Sequence, residues 1–147
     1  MQTQSEAHTR IIWCCSWTNN DRFFATGSRD KNIKFWGKKV DKCEELGCYG
    51  FENPVTAINF SPIENKSSNV FSLFVGFESG DISVCRISID EKFNLLYENL
   101  LNVNKYLCHS LTVKRIKSVI KDDLLIIATC SDDHSVRIFD IKKQEFE

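Results

Sequence analysis

Apolar and polar residues along this chain fall into short alternating runs separated by polar turns, the pattern of β-strands. Ile11–Trp17 reads IIWCCSW, β-branched and aromatic, and is followed by the turn cluster Asn19, Asn20 and Asp21. Phe23–Gly27 resumes an apolar strand, and Arg29, Asp30, Lys31 and Asn32 form a second polar turn. Over Ile33–Trp36 the side chains alternate, with Ile33 and Phe35 on one face and Lys34 and Trp36 on the other. A fourth strand is expected over roughly Cys43–Tyr49. Four short antiparallel strands joined by hairpins would then make one unit.

The pattern restarts at Pro54. Val55–Phe60 (VTAINF) matches Ile12–Trp17, and Ser61 with Pro62 ends it. A polar loop over Ile63–Asn69 leads to strands at Val70–Gly76 and Asp81–Ile87. Asn94–Glu98 reads as a fourth strand, although Leu95–Leu107 also fits a short helix. Thr112–Val119, Leu124–Cys130 and Ser135–Ile141 then form a third, three-stranded unit. The segments ATGSRDKNIKFWG (Ala25–Gly37) and ATCSDDHSVRIFD (Ala128–Asp140) are two copies of one motif. Such a repeat sets the architecture before any residue is given a role. We expect an all-β chain of about three four-stranded antiparallel units, with units near 8–50, 51–107 and 108–141 and a charged tail at 142–147. Nothing rich in Pro, Gly or Ser divides it, so residues 1–147 read as one domain.

Composition narrows the function more than it specifies it. Hydrophobic residues make up 42% of the chain, enough for a packed core, and the 19 basic and 20 acidic residues leave a net charge of −1. That balance argues against a generally basic nucleic-acid binder. No run approaches the ~18 apolar residues that span a bilayer, and the start MQTQSEAHTR has no signal-peptide core. A cytoplasmic protein, with the nucleus as a second compartment, is expected. The seven cysteines form no C-x-x-C pair and have no closing histidine pair, so they read as small hydrophobes on strands and no metal site is expected. Cys108 and His109 are a nucleophile and a base by type, but neighbours on a strand point to opposite faces. His134 falls in a turn. Asp122 with Asp123, and Asp132 with Asp133, are turn pairs without further converging oxygens. The glycines form no phosphate-cradling loop. No catalysis, cofactor or small-molecule substrate is expected.

Four-stranded units with His8, Thr26, Asp30 and Trp36 at these positions resemble the WD-repeat β-propeller family. The resemblance implies a structural relay: the turn Asp holds the His, the His reaches the Thr, and the hydroxyl reaches the indole. In the third unit His109, Thr129 and Asp133 take these places, with Phe139 in place of the Trp. The middle unit departs further, with Phe51, Ser79 and Cys85 at the His, Asp and Trp positions. Ser118 stands where Trp17 and Phe60 supply an aromatic. Within the family, HTRIIW (His8–Trp13), Phe24–Trp36, VGFESG (Val75–Gly80) and Ala128–Ile141 are similar to the last blades of a scaffold subunit. That subunit belongs to the assembly that modifies wobble uridines in tRNA.

That resemblance implies a non-catalytic scaffold whose partners are the other subunits of such an assembly. An interaction module of another assembly, such as iron–sulfur protein maturation, is the alternative, and a fragment without function of its own a further one. Positions on the family's partner-binding face are Trp13, Thr56 and Lys114, each just after the first inward aliphatic, and Arg29, Glu78 and Asp132, each just before the turn Asp or its equivalent. Arg10, Arg29, Lys31, Lys34, Lys38, Lys39, Lys114, Arg115, Lys117 and Lys121 form a basic group through which a weak tRNA contact is a lesser expectation. Three units cannot close a ring. The chain is therefore expected to be the carboxy-terminal part of something longer, with apolar outer faces that favour self-association.

Overall fold

The computed structural model describes residues 6–38, 42–62, 70–90, 94–102, 109–122 and 124–142. It is all-β, with three antiparallel sheets. The first contains β1 (Ile12–Trp17), β2 (Phe23–Ser28), β3 (Asn32–Lys38) and β4 (Cys43–Gly50) in that order. The second contains β5 (Val55–Phe60), β6 (Val70–Phe77), β7 (Ile82–Ile89) and β8 (Leu95–Asn102). The third contains β9 (Val113–Lys121), β10 (Leu124–Ser131) and β11 (Val136–Lys142). Sequential strands pair in every sheet, so each is a meander.

Leu95–Asn102 is a strand, which decides between the two readings of that segment. Its sequence LLYENLLN spaces the leucines as a helix would, but pairing along β7, from Ser83↔Asn102 to Ile89↔Leu95, overrides that local preference. The expected loop over Ile63–Asn69 lies outside the described residues.

The first strands of the sheets lie side by side, β1 against β5 and β5 against β9. Two apolar seams result. One gathers Phe23, Ala25, Ile33 and Phe35 of the first sheet against Val55, Phe71, Leu73 and Ile87 of the second. The other gathers Phe74, Ile82 and Val84 of the second against Val113, Ile116, Leu125 and Ile127 of the third. The middle sheet's alternation thus feeds one seam with each of its faces, and the outer two sheets feed one seam each.

Two glycines set the approach distance. A Cβ on Gly27 would lie 2.5 Å from Val55 Cγ1, and one on Gly76 would lie 2.7 Å from Val113 Cγ1. These are equivalent positions, and at each the next sheet's first inward valine rests on bare backbone. Ser118 is also explained at a seam: its hydroxyl donates to Asn59 Oδ1 at 2.6 Å. A hydrogen bond between sheets replaces the aromatic that Trp17 and Phe60 provide.

Candidate interaction surface

The same backbone device begins every sheet. Pairing of the first two strands slips between Ile12 and Cys14, between Val55 and Ala57, and between Cys130 and Ser131 opposite Val113 and Arg115. Each slip is a β-bulge, which re-aims one side chain. The bulged residues are Trp13, Thr56 and Lys114. Beside each bulge the backbone bonds repeat: Arg29 N–H to Ile11 O, Glu78 N–H to Pro54 O, and Asp132 N–H to Thr112 O, at 3.0, 3.0 and 3.1 Å. The rim is therefore one scaffold used three times with different side chains.

Those side chains pair within their own sheet. The Arg29 guanidinium lies 6.0 Å from the Trp13 ring centroid, a cation–π distance. Lys114 Nζ lies 2.8 Å from Asp132 Oδ2. Glu78 is exposed. Thr56 is the exception: it is 7% exposed, and its hydroxyl lies 2.6 Å from Val113 O and 3.1 Å from Gly76 O. It fastens the second seam and offers the rim little surface. Five of the six positions named from sequence thus stand on the rim, and Thr56 does not.

Below the rim, His8 Nδ1 is 3.0 Å from Asp30 Oδ2 and His8 Nε2 is 2.8 Å from Thr26 Oγ1. Trp36 Nε1–H donates to the same hydroxyl at 2.9 Å. The Asp30 carboxylate can only accept, so Nδ1–H donates to it; in that tautomer Nε2 accepts from the Thr26 hydroxyl, whose oxygen accepts from the indole. In the third sheet His109 Nδ1 is 2.9 Å from Asp133 Oδ2 and Nε2 is 2.8 Å from Thr129 Oγ1. Phe139 supplies no N–H there, and Thr129 keeps its bond to the histidine.

The second sheet has an aromatic cluster in place of the polar chain. Phe51 packs on Phe77 and Tyr49, with centroids 5.1 Å apart in each case, and Tyr49 stacks on Tyr97 at 3.5 Å. Cys85 Sγ lies 2.6 Å from Tyr97 Oη. Sequence reading missed this cluster because Tyr49 and Tyr97 belong to the fourth strands of different sheets.

The turns share a further feature. Lys31, Gly80 and His134 are equivalent, and all have positive φ, at 72°, 91° and 63°. The carbonyl of Lys31 accepts from Phe51 N–H at 2.9 Å, and that of Gly80 from His109 N–H at 3.1 Å. Lys31 and Gly80 thereby tie their turns to the segment opening the next sheet.

Both turn carboxyls are held below the ordinary carboxylate range. For Asp30, burial opposes ionisation but is outweighed by hydrogen bonds from the Asn32 and Thr9 N–H groups and from His8. For Asp133 the main cause is the Ser135 hydroxyl; burial opposes it, and the N–H groups of Ser135 and Ser110 and the His109 ring add to it. Such a group binds its proton less readily folded than unfolded. Its contribution is complete above the unfolded value of about 4 and is lost as pH falls through the lower folded value. The urea midpoint should therefore fall below about pH 4, and Asp30→Asn with Asp133→Asn should flatten that acid limb. An acid limb of unchanged steepness in the double variant would remove this assignment.

Burial pushes the Cys14 thiol up to about 12 and raises Cys85 and Cys48 as well, so these thiols are poor nucleophiles at neutral pH. Cys108 lies outside the described residues. His134 is exposed in its turn. Among the described residues no three His, Cys, Asp or Glu gather to hold a metal, and no helix is long and apolar enough to cross a membrane. The basic group is divided. Lys34 pairs with Glu45 at 2.8 Å, Lys114 pairs with Asp132, and Arg29 rests on Trp13. The side chain of Lys38 and all of Lys39 lie outside the described residues.

The pattern of the family described as "WD domain, G-beta repeat" matches residues 1–37 and 102–140. The chain is similar to Elongator complex protein 2 of Dictyostelium discoideum, 35% identical over 93% of this chain and 17% of that protein. It is 33% identical to the Drosophila melanogaster protein of the same name over 92% of this chain and 17% of that protein. With the human one it is 25% identical, over 95% and 19%. It therefore spans less than a fifth of the length of these relatives. The WD40 domain of SCAP from fission yeast superposes with a TM-score of 0.68 over 93% of this chain and 30% of that one; at 14% identity this speaks to fold alone.

Proposed function

The chain belongs to the WD domain, G-beta repeat family, and from that membership we propose that it is a non-catalytic scaffold within Elongator. On this reading it does for its assembly what part of Elongator complex protein 2 does, supporting the complex that modifies wobble uridines in tRNA. Its partners are other Elongator subunits, and the chemistry belongs to them.

The observation that carries the reading is the repeated rim. One backbone device, a bulge beside a cross-turn hydrogen bond, presents different side chains in each sheet: Trp13 with Arg29, Glu78, and Lys114 with Asp132. A fixed frame with variable groups suits recognition of a protein surface, and Trp and Arg are the residue types that most often dominate such contacts. The similarity to Elongator complex protein 2 over most of the chain supports the choice of assembly.

The test is Trp13→Ala combined with Arg29→Ala. The pair sits on the rim and outside the His8 relay, so the fold should survive. Capture of Elongator subunits should fall at least about tenfold, the loss of more than 1 kcal/mol typical of a central Trp–Arg contact. Undiminished capture by a folded double variant would show that the rim is not the binding face.

A further inference from the structure

The rim is sorted by charge. Over the first sheet, the opening segment and the turn between β2 and β3 expose Arg10, Arg29 and Lys31. The one acid there, Asp30, is turned inward, held by His8 and by the N–H groups of Thr9 and Asn32. Over the second sheet, the equivalent segments expose Glu52 and Glu78, with Asp81 half-buried beside them. Residues 52–56 and 78–81 contain no lysine or arginine. Over the third sheet the charges are spent internally, Lys114 on Asp132 and Asp133 on His109.

The two outward patches adjoin without pairing. Phe51 N–H donates to the Lys31 carbonyl at 2.9 Å, which sets Glu52 next to the Lys31 turn. Among the described residues, Arg10, Lys31, Glu52 and Glu78 nevertheless form no ion pair. Asp81 accepts the Ser79 hydroxyl of its own turn at 2.9 Å. Ile11, 61% exposed, and the half-buried Trp13 stand beside the cations, through the Arg29 backbone and guanidinium respectively. A pair formed on the open surface contributes little, because water competes for both charges. The same charges gain strength when a partner covers them and water leaves.

We propose that the first two sheets together bind one continuous segment of another Elongator subunit, with an apolar residue and a carboxylate over the first sheet and a basic residue over the second. The inference rests on the scaffold reading and adds the partner's chemistry to it. Packed sheets lie about 10 Å apart, and the partner's acid and base must match that spacing. This is about seven residues along a helix, or about three along an extended strand.

Nucleic acid does not fit this surface. A backbone whose phosphates meet Arg10, Arg29 and Lys31 would carry further phosphates over Glu52 and Glu78, where like charges repel. A second copy matches the charges when turned about a two-fold axis between the first two sheets. It would, however, set Ile11 against the carboxylates of the second sheet, where an aliphatic side chain gains nothing.

Carbodiimide coupling joins an ammonium to a carboxylate in contact and so reads the first sheet's half of the pattern. The full chain, isotopically labelled and isolated with its native partners, is coupled, and the linked peptides are identified by mass spectrometry. Lys114 and Asp132, 2.8 Å apart, supply an internal control. Lys31 should link to a carboxylate of one Elongator subunit, in a segment with a lysine or arginine about three or about seven residues away. Two inversions read both halves: Arg10→Glu with Lys31→Glu, and Glu52→Lys with Glu78→Lys. Each should keep its urea midpoint and capture that subunit at least about tenfold less well, because like charges then face each other. A linked segment without a basic residue at that spacing overturns the proposal. So do a link to a second copy, ultraviolet coupling of the rim to RNA, and Lys31 left unlinked while the control forms. Undiminished capture by both inversions, where Trp13→Ala with Arg29→Ala does lose it, overturns this inference alone; capture of no Elongator subunit by the unaltered chain overturns the scaffold reading with it.

Discussion

Thr26→Val is expected to lower the stability of the chain by about 3 kcal/mol, roughly twice the effect of the equivalent Thr129→Val. The substitution keeps shape and removes one hydroxyl. In the first sheet that hydroxyl serves two groups: it accepts from the Trp36 indole at 2.9 Å and donates to His8 Nε2 at 2.8 Å. Trp36 is 2% exposed, so water cannot replace the lost acceptor. In the third sheet Thr129 serves His109 alone, because Phe139 has no N–H. Each buried polar group left unpaired costs about 1–3 kcal/mol, and the difference of one orphan sets the ratio. Trp36→Phe should rescue part of the loss in the Thr26→Val background, since the orphaned donor is then gone. Urea unfolding of the four proteins gives the numbers. Equal losses at Thr26 and Thr129 would mean that the indole bond contributes nothing.

Gly80→Ala should be at least as damaging, at roughly 3 kcal/mol or more. A Cβ there would come within 2.2 Å of His109 O and 2.8 Å of Leu111 O. Both are backbone atoms of the segment that opens the third sheet, so no side chain can move aside. The φ of 91° adds strain for any L-residue with a Cβ. Lys31 and His134 hold the equivalent position at 72° and 63°, which shows that the turn itself tolerates a side chain. The damage should therefore appear at the seam. Hydrogen exchange over residues 109–142 should accelerate before that over 12–50. Uniform acceleration in all three sheets would contradict a local cause.

Much of this was legible in the sequence. Strand alternation placed the repeat, because each strand turns at least one face to a seam and must be apolar there in a regular way. The contacts of His8, Thr26, Asp30 and Trp36 were readable only through the resemblance to WD repeats, which implies a relay at these positions. Three features were not readable. Leu95–Asn102 mimics a helix locally and is a strand only through its pairing with β7. Thr56 looks like a rim residue by position, but its hydroxyl turns to Val113 O of the next sheet. The meaning of Gly27 and Gly76 depends on how closely a neighbouring sheet approaches, a distance that no local pattern encodes.

Capture of the tagged 147-residue chain from its own cells at physiological salt, with quantitative mass spectrometry of what accompanies it, decides whether the chain has the proposed scaffold role in Elongator. Elongator subunits should be recovered in near-stoichiometric amounts; recovery of a different assembly, or of chaperones alone, would rule that role out.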